Sequence, residues 1–188
     1  MFEVKPIVKD TEKLIRRKSK AVPEPISEED ISWALYLRDY LIFSSNEENC
    51  QQYGLRPGVG LASPQLGVLK RICVIRVEYF NDEDSLDHVT EFAFINPKIV
   101  SHAQRMAYLL GGEGCLSVDG EHQGYVPRYA FVTVSGFDAI TKEYVTVKFR
   151  GYEAIVIQHE IDHLDGILFY DRINKTDPFK HIEGALEI

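Results

Sequence analysis

The sequence predicts an α+β domain: mostly antiparallel β-sheets packed around a central helix that carries a His-Glu-x-x-His pattern, with a helical segment at the N-terminus. Three observations lead there. The chain has 188 residues and 45% hydrophobic content, which suits one domain over 1–188 with one core. Four runs are rich in β-branched and aromatic residues and are separated by turn signals. One later stretch, "YEAIVIQHEIDHLDG", has helical length and apolar period and stops at Gly166.

Taken in order, "TEKLIRRKS" reads as a short helix, and the two prolines of "VPEPISEED" break it. Ser27 can cap the next helix, with acids in its first turn to suit the helix dipole. Ile31, Ala34, Leu35, Leu41 and Ile42 keep helical spacing, so 28–43 is expected to form an amphipathic helix whose apolar face Trp33, Tyr36 and Tyr40 widen. Residues 44–57 are polar, end in "RPG" and read as a loop. Strands are expected over 71–77, 91–100, 129–137 and 144–149, with "DAITKE" turning between the last two. The acidic "NDEDSLDHVTE" (81–91) reads as a surface hairpin or insertion. The tail is broken at Pro178, and its last residues can add an edge strand.

Charge and cysteine content narrow the function. The net charge is −8, which disfavours a large nucleic-acid face because phosphate binding needs clustered Lys and Arg. The basic "KLIRRKSK" (13–20) is offset by nearby acids and reads as a solvated helix face. No run approaches the roughly eighteen apolar residues of a membrane helix, and "MFEVKPIVKD" lacks the order of a signal peptide. A cytoplasmic protein with no membrane contact is expected. Three widely spaced cysteines make no disulfide framework. Cys73, inside an apolar strand, reads as buried, and Cys50, in a polar loop, carries no assigned role. His88, His102, His122 and His181 read as surface residues.

The central helix carries the chemistry. His159 and His163 stand one turn apart, so both project from one face and can hold one metal ion. Glu160 lies beside the first, within reach of a metal-bound water without being a ligand. Ile157, Ile161 and Leu164 form an opposite apolar stripe that anchors the helix. A third ligand is needed, since catalytic sites of this kind combine three protein ligands with an open position. Phe169 stands where one protease class has another histidine, which excludes that class. Glu183, downstream, would make the chain a His-Glu-x-x-His metalloprotease. Cys115, in the glycine-rich "GGEGCLSV", is the other candidate, because a thiolate beside a divalent metal is a strong ligand.

Three segments read together, "GVGLASPQ" (58–65), "EGCLS" (113–117) and "QHEIDH" (158–163), resemble the peptide deformylases, and within them the longer form common in Gram-positive bacteria. The resemblance spans about residues 7–174. Ser63 departs from it, alanine being more usual there. The resemblance implies removal of the N-formyl group from the initiator methionine of new polypeptides, with metal-activated water attacking the formyl carbon. It implies Cys115, His159 and His163 as ligands of one divalent metal, Fe²⁺ natively, with Zn²⁺, Ni²⁺ or Co²⁺ able to substitute. It makes Glu160 the acid/base, gives Gln65 and the backbone N–H of Leu116 to the formyl oxygen, and sets Gly60 against the substrate backbone. A side-chain amide and a backbone N–H are suitable oxyanion donors. An apolar methionine pocket is expected from Val59, Ile155, Val156 and Tyr152, with Gly58 in the same loop. Formylmethionyl nascent chains are the implied partners, with transient ribosome contact and a monomeric protein.

Overall fold

The structure, a computed structural model, describes residues 2–188. A five-stranded sheet separates two helices. Its strands are β1 (Gly60–Ala62), β2 (Ile72–Phe80), β3 (Leu86–His102), β6 (Phe131–Asp138) and β7 (Glu143–Arg150). They lie in the order β1-β2-β3-β6-β7, and each adjacent pair is antiparallel. Successive side chains of a strand point to opposite faces, and the sequence uses both. Leu61, Ile72, Val74, Ala93 and Ile95 pack with helix α1 (Glu28–Ser44). Ala62, Cys73, Ile75 and Phe94 pack with helix α3 (Gly151–Leu164). The strands therefore read as continuous apolar runs, as expected of sheets covered on both faces.

The remaining strands, β4 (Met106–Tyr108), β5 (Arg128–Tyr129) and β8 (Leu186–Glu187), form a second sheet in the order β5-β4-β8. Ala107 and Ala130 pack from that side against Ile155 of α3, while Ile157, Ile161 and Leu164 pack towards the large sheet. α3 thus lies between two sheets, as the sequence predicts. Its end is fixed by Gly166, whose φ is +74° and whose Cα lies so close to the Arg16 carbonyl that a Cβ would overlap it.

Several expectations need correction. The 44–57 segment is not all loop: α2 spans Glu47–Tyr53, with Asn46 accepting from the Asn49 N–H and Gly54 left-handed at its end. The helix expected over 11–19 is a single 3-10 turn, Lys13–Arg16, of which only Ile15 is buried. In α1 the sheet-facing positions belong to Ile31, Ala34, Leu37, Tyr40 and Leu41, whereas Ile42 is 41% exposed. The acidic 81–91 stretch is a surface hairpin, as expected, and its second half belongs to β3. The strand expected over 129–137 is two, because the chain changes sheets at Ala130. β1 and β4 were not anticipated. The edge strand at the tail is present, pairing parallel with β4. Cys73 is fully buried, and His88, His102, His122 and His181 are exposed, as expected.

Candidate metal centre

α3 places His159 and His163 on one face, and the loop after β4 brings Cys115 against them. One donor atom from each of Cys115, His159 and His163 lies within 4.8 Å of the other two, and Cys115 Sγ is 3.3 Å from His163 Nε2. Glu183 is exposed and outside this group, so the third-ligand alternative at that position falls. A sulfur and two imidazole nitrogens are the donors of a three-ligand site with an open position. The fit extends to the surroundings. His159 Nδ1 is 2.8 Å from Glu113 Oε2, which turns its other nitrogen towards Cys115. Burial pushes the His163 imidazole well below its ordinary range, helped by His159, so it stays neutral with a lone pair to give. Burial also disfavours charge on His159, but Cys115 and Glu113 outweigh it and raise that group to about 10. The cluster therefore attracts positive charge, which a divalent cation supplies in place of that proton.

Glu160 is 4% exposed and its Oε2 has no hydrogen-bond partner. Burial pushes its carboxyl up to about 7, against the pull of His159 and Arg128. That is the range in which a carboxyl can both take and return a proton at neutral pH. Gly60 makes room for it: a Cβ at position 60 would overlap the Glu160 carboxylate. Gln65 is 2% exposed and pinned. Its Oε1 accepts from the Ala62 N–H at 2.8 Å, which leaves its Nε2 facing Ser117 Oγ at 3.2 Å and Cys115 Sγ at 3.7 Å.

These groups share one cleft of about 370 Å³. Gly58, Val59, Gly60, Gln65, Cys115, Leu116, Tyr152, Ile155, Val156, His159 and Glu160 all line it. His163 lies behind it, fully buried. The three sequence segments therefore meet at a single place.

The sequence did not disclose what supports this cleft. Arg128 is buried and donates to both Glu113 oxygens at 2.8 Å and to Asp162, which also accepts two bonds from Arg172 at 2.6 Å. Burial opposes ionisation of Glu113, but Arg128 and His159 prevail and hold it at about 2. The cysteine loop is thus tied to α3 through buried charge. Glu113 and Asp162 do stand inside the quoted motifs, as charges in buried surroundings; nothing marked Arg128. Arg56, at the cleft edge, donates to the Leu116 carbonyl at 2.6 Å, and Lys9 donates to the same oxygen at 3.1 Å. Ser63 is explained as well: its hydroxyl accepts from the Trp33 indole N–H at 2.7 Å and donates to the Val68 carbonyl at 2.8 Å.

Comparison with known proteins accords with this geometry. The family model described as Polypeptide deformylase matches residues 4–179. A protein of Geobacillus stearothermophilus named Peptide deformylase 2 is 47% identical over 188 residues, covering 100% of this chain and 99% of its own. The Bacillus subtilis protein of the same name is 40% identical over 188 residues, with the same coverage. Among solved structures, a peptide deformylase from Ehrlichia chaffeensis superposes with a TM-score of 0.71 at 30% identity, covering 94% of this chain and 91% of that one. A class I type b peptide deformylase from Acinetobacter baumannii, bound to Met-Ala-Ser, gives 0.66 at 30% identity, with 92% and 100% covered. On a match that runs nearly end to end, the chain belongs to the polypeptide deformylase family, and so to the hydrolases.

Proposed function

We propose that this chain removes the formyl group from the N-terminal methionine of newly made polypeptides, and that Cys115, His159 and His163 hold its one divalent metal, Fe²⁺ natively. Zn²⁺, Ni²⁺ or Co²⁺ substitute. The observation that carries the reading is the convergence of the Cys/His/His group, a buried carboxyl and an aimed side-chain amide in one cleft. A divalent metal in such a site polarises a carbonyl and lowers the pKa of a bound water towards about 7. Glu160 takes the proton from the attacking water and hands it to the leaving amine. Gln65 Nε2 and the Leu116 N–H donate to the formyl oxygen as negative charge builds on it. Gly58 and Gly60 meet the peptide backbone. Val59, Tyr152, Ile155 and Val156 enclose the methionine side chain, whose unbranched thioether suits an irregular apolar wall. No helix among the described residues is long and apolar enough to cross a membrane, and we place the enzyme in the cytoplasm as a monomer that meets the ribosome transiently.

Formate release from formyl-Met-Ala-Ser tests this, with protein purified without oxygen and loaded with Fe²⁺. Glu160→Ala is expected to keep the metal and lose on the order of 10²–10⁴ in kcat. Cys115→Ser is expected to lose metal and activity together. Absence of formate from folded, metal-loaded wild-type protein would overturn the assignment.

A further inference from the structure

The match to the family model ends at residue 179, and the chain beyond it folds back against β4. β8 pairs with β4, Ala107 opposite Leu186 and Tyr108 opposite Glu187. The pairing is fastened beyond its two residues. The Ile188 N–H donates to the Tyr108 carbonyl and the Leu110 N–H to the Ile188 carbonyl, both at 3.0 Å. Tyr108 Oη donates to Glu187 Oε1 at 2.7 Å, and Arg105 Nε to the Gly184 carbonyl at 2.9 Å. So held, Leu186 packs into the cluster of Ala107, Ala130 and Ile155, alongside Leu109. Two members of that cluster, Leu109 and Ile155, are also walls of the cleft that holds the metal donors. Ile188 ends beside Gly151, next to the lining residue Tyr152.

Close-packed interiors transmit a change of volume to their neighbours. Of the residues packed with Leu109 and Ile155 that do not line the cleft, namely Ala107, Ala130 and Leu186, Leu186 has the largest side chain, so a change of its volume is the one the wall feels most. We propose that the C-terminal strand is a specificity element, in which Leu186 is a positioning residue that sets the apolar wall against the substrate's first side chain. This rests on the deformylase reading for the identity of that side chain. Leu186 lines no part of the cleft and packs in a cluster that contains none of the metal donors, so its effect is on which side chain fits and not on the hydrolytic step.

The test uses the full-length, metal-loaded protein with Leu186→Ala, and Leu186→Ile as the conservative control. Formyl-Met-Ala-Ser and formyl-Phe-Ala-Ser are compared for KM and kcat. Dissociation constants for Met-Ala-Ser and Phe-Ala-Ser are measured beside them by calorimetry. Leu186→Ala is expected to keep kcat and metal content, raise KM for the methionyl peptide, and shift the Met/Phe preference towards Phe by about 5-fold. That is below the 10-fold or more of a direct pocket methylene, because the change acts through Leu109 and Ile155. Leu186→Ile is expected to restore the wild-type preference. If Leu186→Ala does not fold, Glu187→Ala, which removes the Tyr108 tie and leaves the apolar cluster whole, is expected to shift the preference in the same direction. An unchanged Met/Phe ratio in both turnover and binding overturns the proposal. A wild-type protein that binds Met-Ala-Ser but releases no formate overturns the deformylase reading, and the binding ratios then still decide the role of the strand.

Discussion

Ser63 shows how much one hydroxyl can hold. It is fully buried, receives the Trp33 indole proton and gives its own to the Val68 carbonyl. It thereby joins α1 to the turn that carries Gln65, the residue whose amide faces Cys115. Alanine at this position leaves the indole N–H and the Val68 carbonyl without these partners. The expected loss is about 1–3 kcal/mol, because two partners are left unsatisfied rather than one bond exchanged, or roughly 2–12 °C in Tm for a chain of this size. Trp33 is the only tryptophan, so the emission reports on its surroundings, the Ser63 bond and the stacking on Tyr36 together. Ser63→Ala is expected to shift the emission maximum and lower Tm together. An unchanged spectrum with an unchanged Tm would mean that Trp33 takes its place from stacking on Tyr36 alone. Gly60 makes the complementary point: its lack of a side chain, not any group it carries, is what admits the Glu160 carboxylate.

At the scale of elements, α1 is fastened to the sheet by charge as well as by its apolar face. Asp30 lies in its first turn, 9% exposed in its side chain, and pairs with Lys70 Nζ at 2.7 Å just before β2. Burial works against its charge, but Lys70 and Ser27 outweigh it and hold the carboxyl below its ordinary range. A folded-state value lower than the unfolded one adds stability above the unfolded pKa, about 3.9. That increment is lost as pH falls through the lower folded value. Asp30→Asn is therefore expected to be less stable than wild type to urea at pH 7, with the gap narrowing below about pH 4. A gap of equal size at both pH values would assign the effect to packing. The long elements were legible because each has a pattern of its own: α1 has apolar spacing and the Ser27 cap, α3 has an apolar stripe and the Gly166 stop, and the main strands have β-branched runs. The short ones were not. β1, β4 and β5 span three, three and two residues and become strands only through partners distant in sequence. α2 has no buried residue, so no apolar period marks it.

The whole molecule decides where the candidate ligands meet. Spacing pointed to the two histidines, which lie one turn apart on a helix, while the third candidate stayed open between Cys115 and Glu183 until three motifs were read together as a family resemblance. The clamp formed by Glu113, Arg128 and Asp162 was not legible, because it joins a loop, a short strand and a helix that only the finished fold brings together. Cys115 and the two histidines likewise come from separate segments, and an unfolded chain holds no such arrangement. A divalent cation bound by all three must then favour the folded state. At about one hundred times its dissociation constant it adds about 2.7 kcal/mol, which for a chain of this length raises Tm by roughly 5–10 °C. Chelation is expected to lower Tm by that amount, and readdition of Fe²⁺ or Zn²⁺ to restore it. Glu160→Ala should keep the whole metal-dependent shift, since Glu160 is placed beside the ligands and not among them. Cys115→Ser should lose most of it. Thermal melts of the three proteins with and without metal distinguish the roles without any assay of turnover: an undiminished shift in Cys115→Ser would place the cation on other residues, and a lost shift in Glu160→Ala would make that carboxylate a ligand.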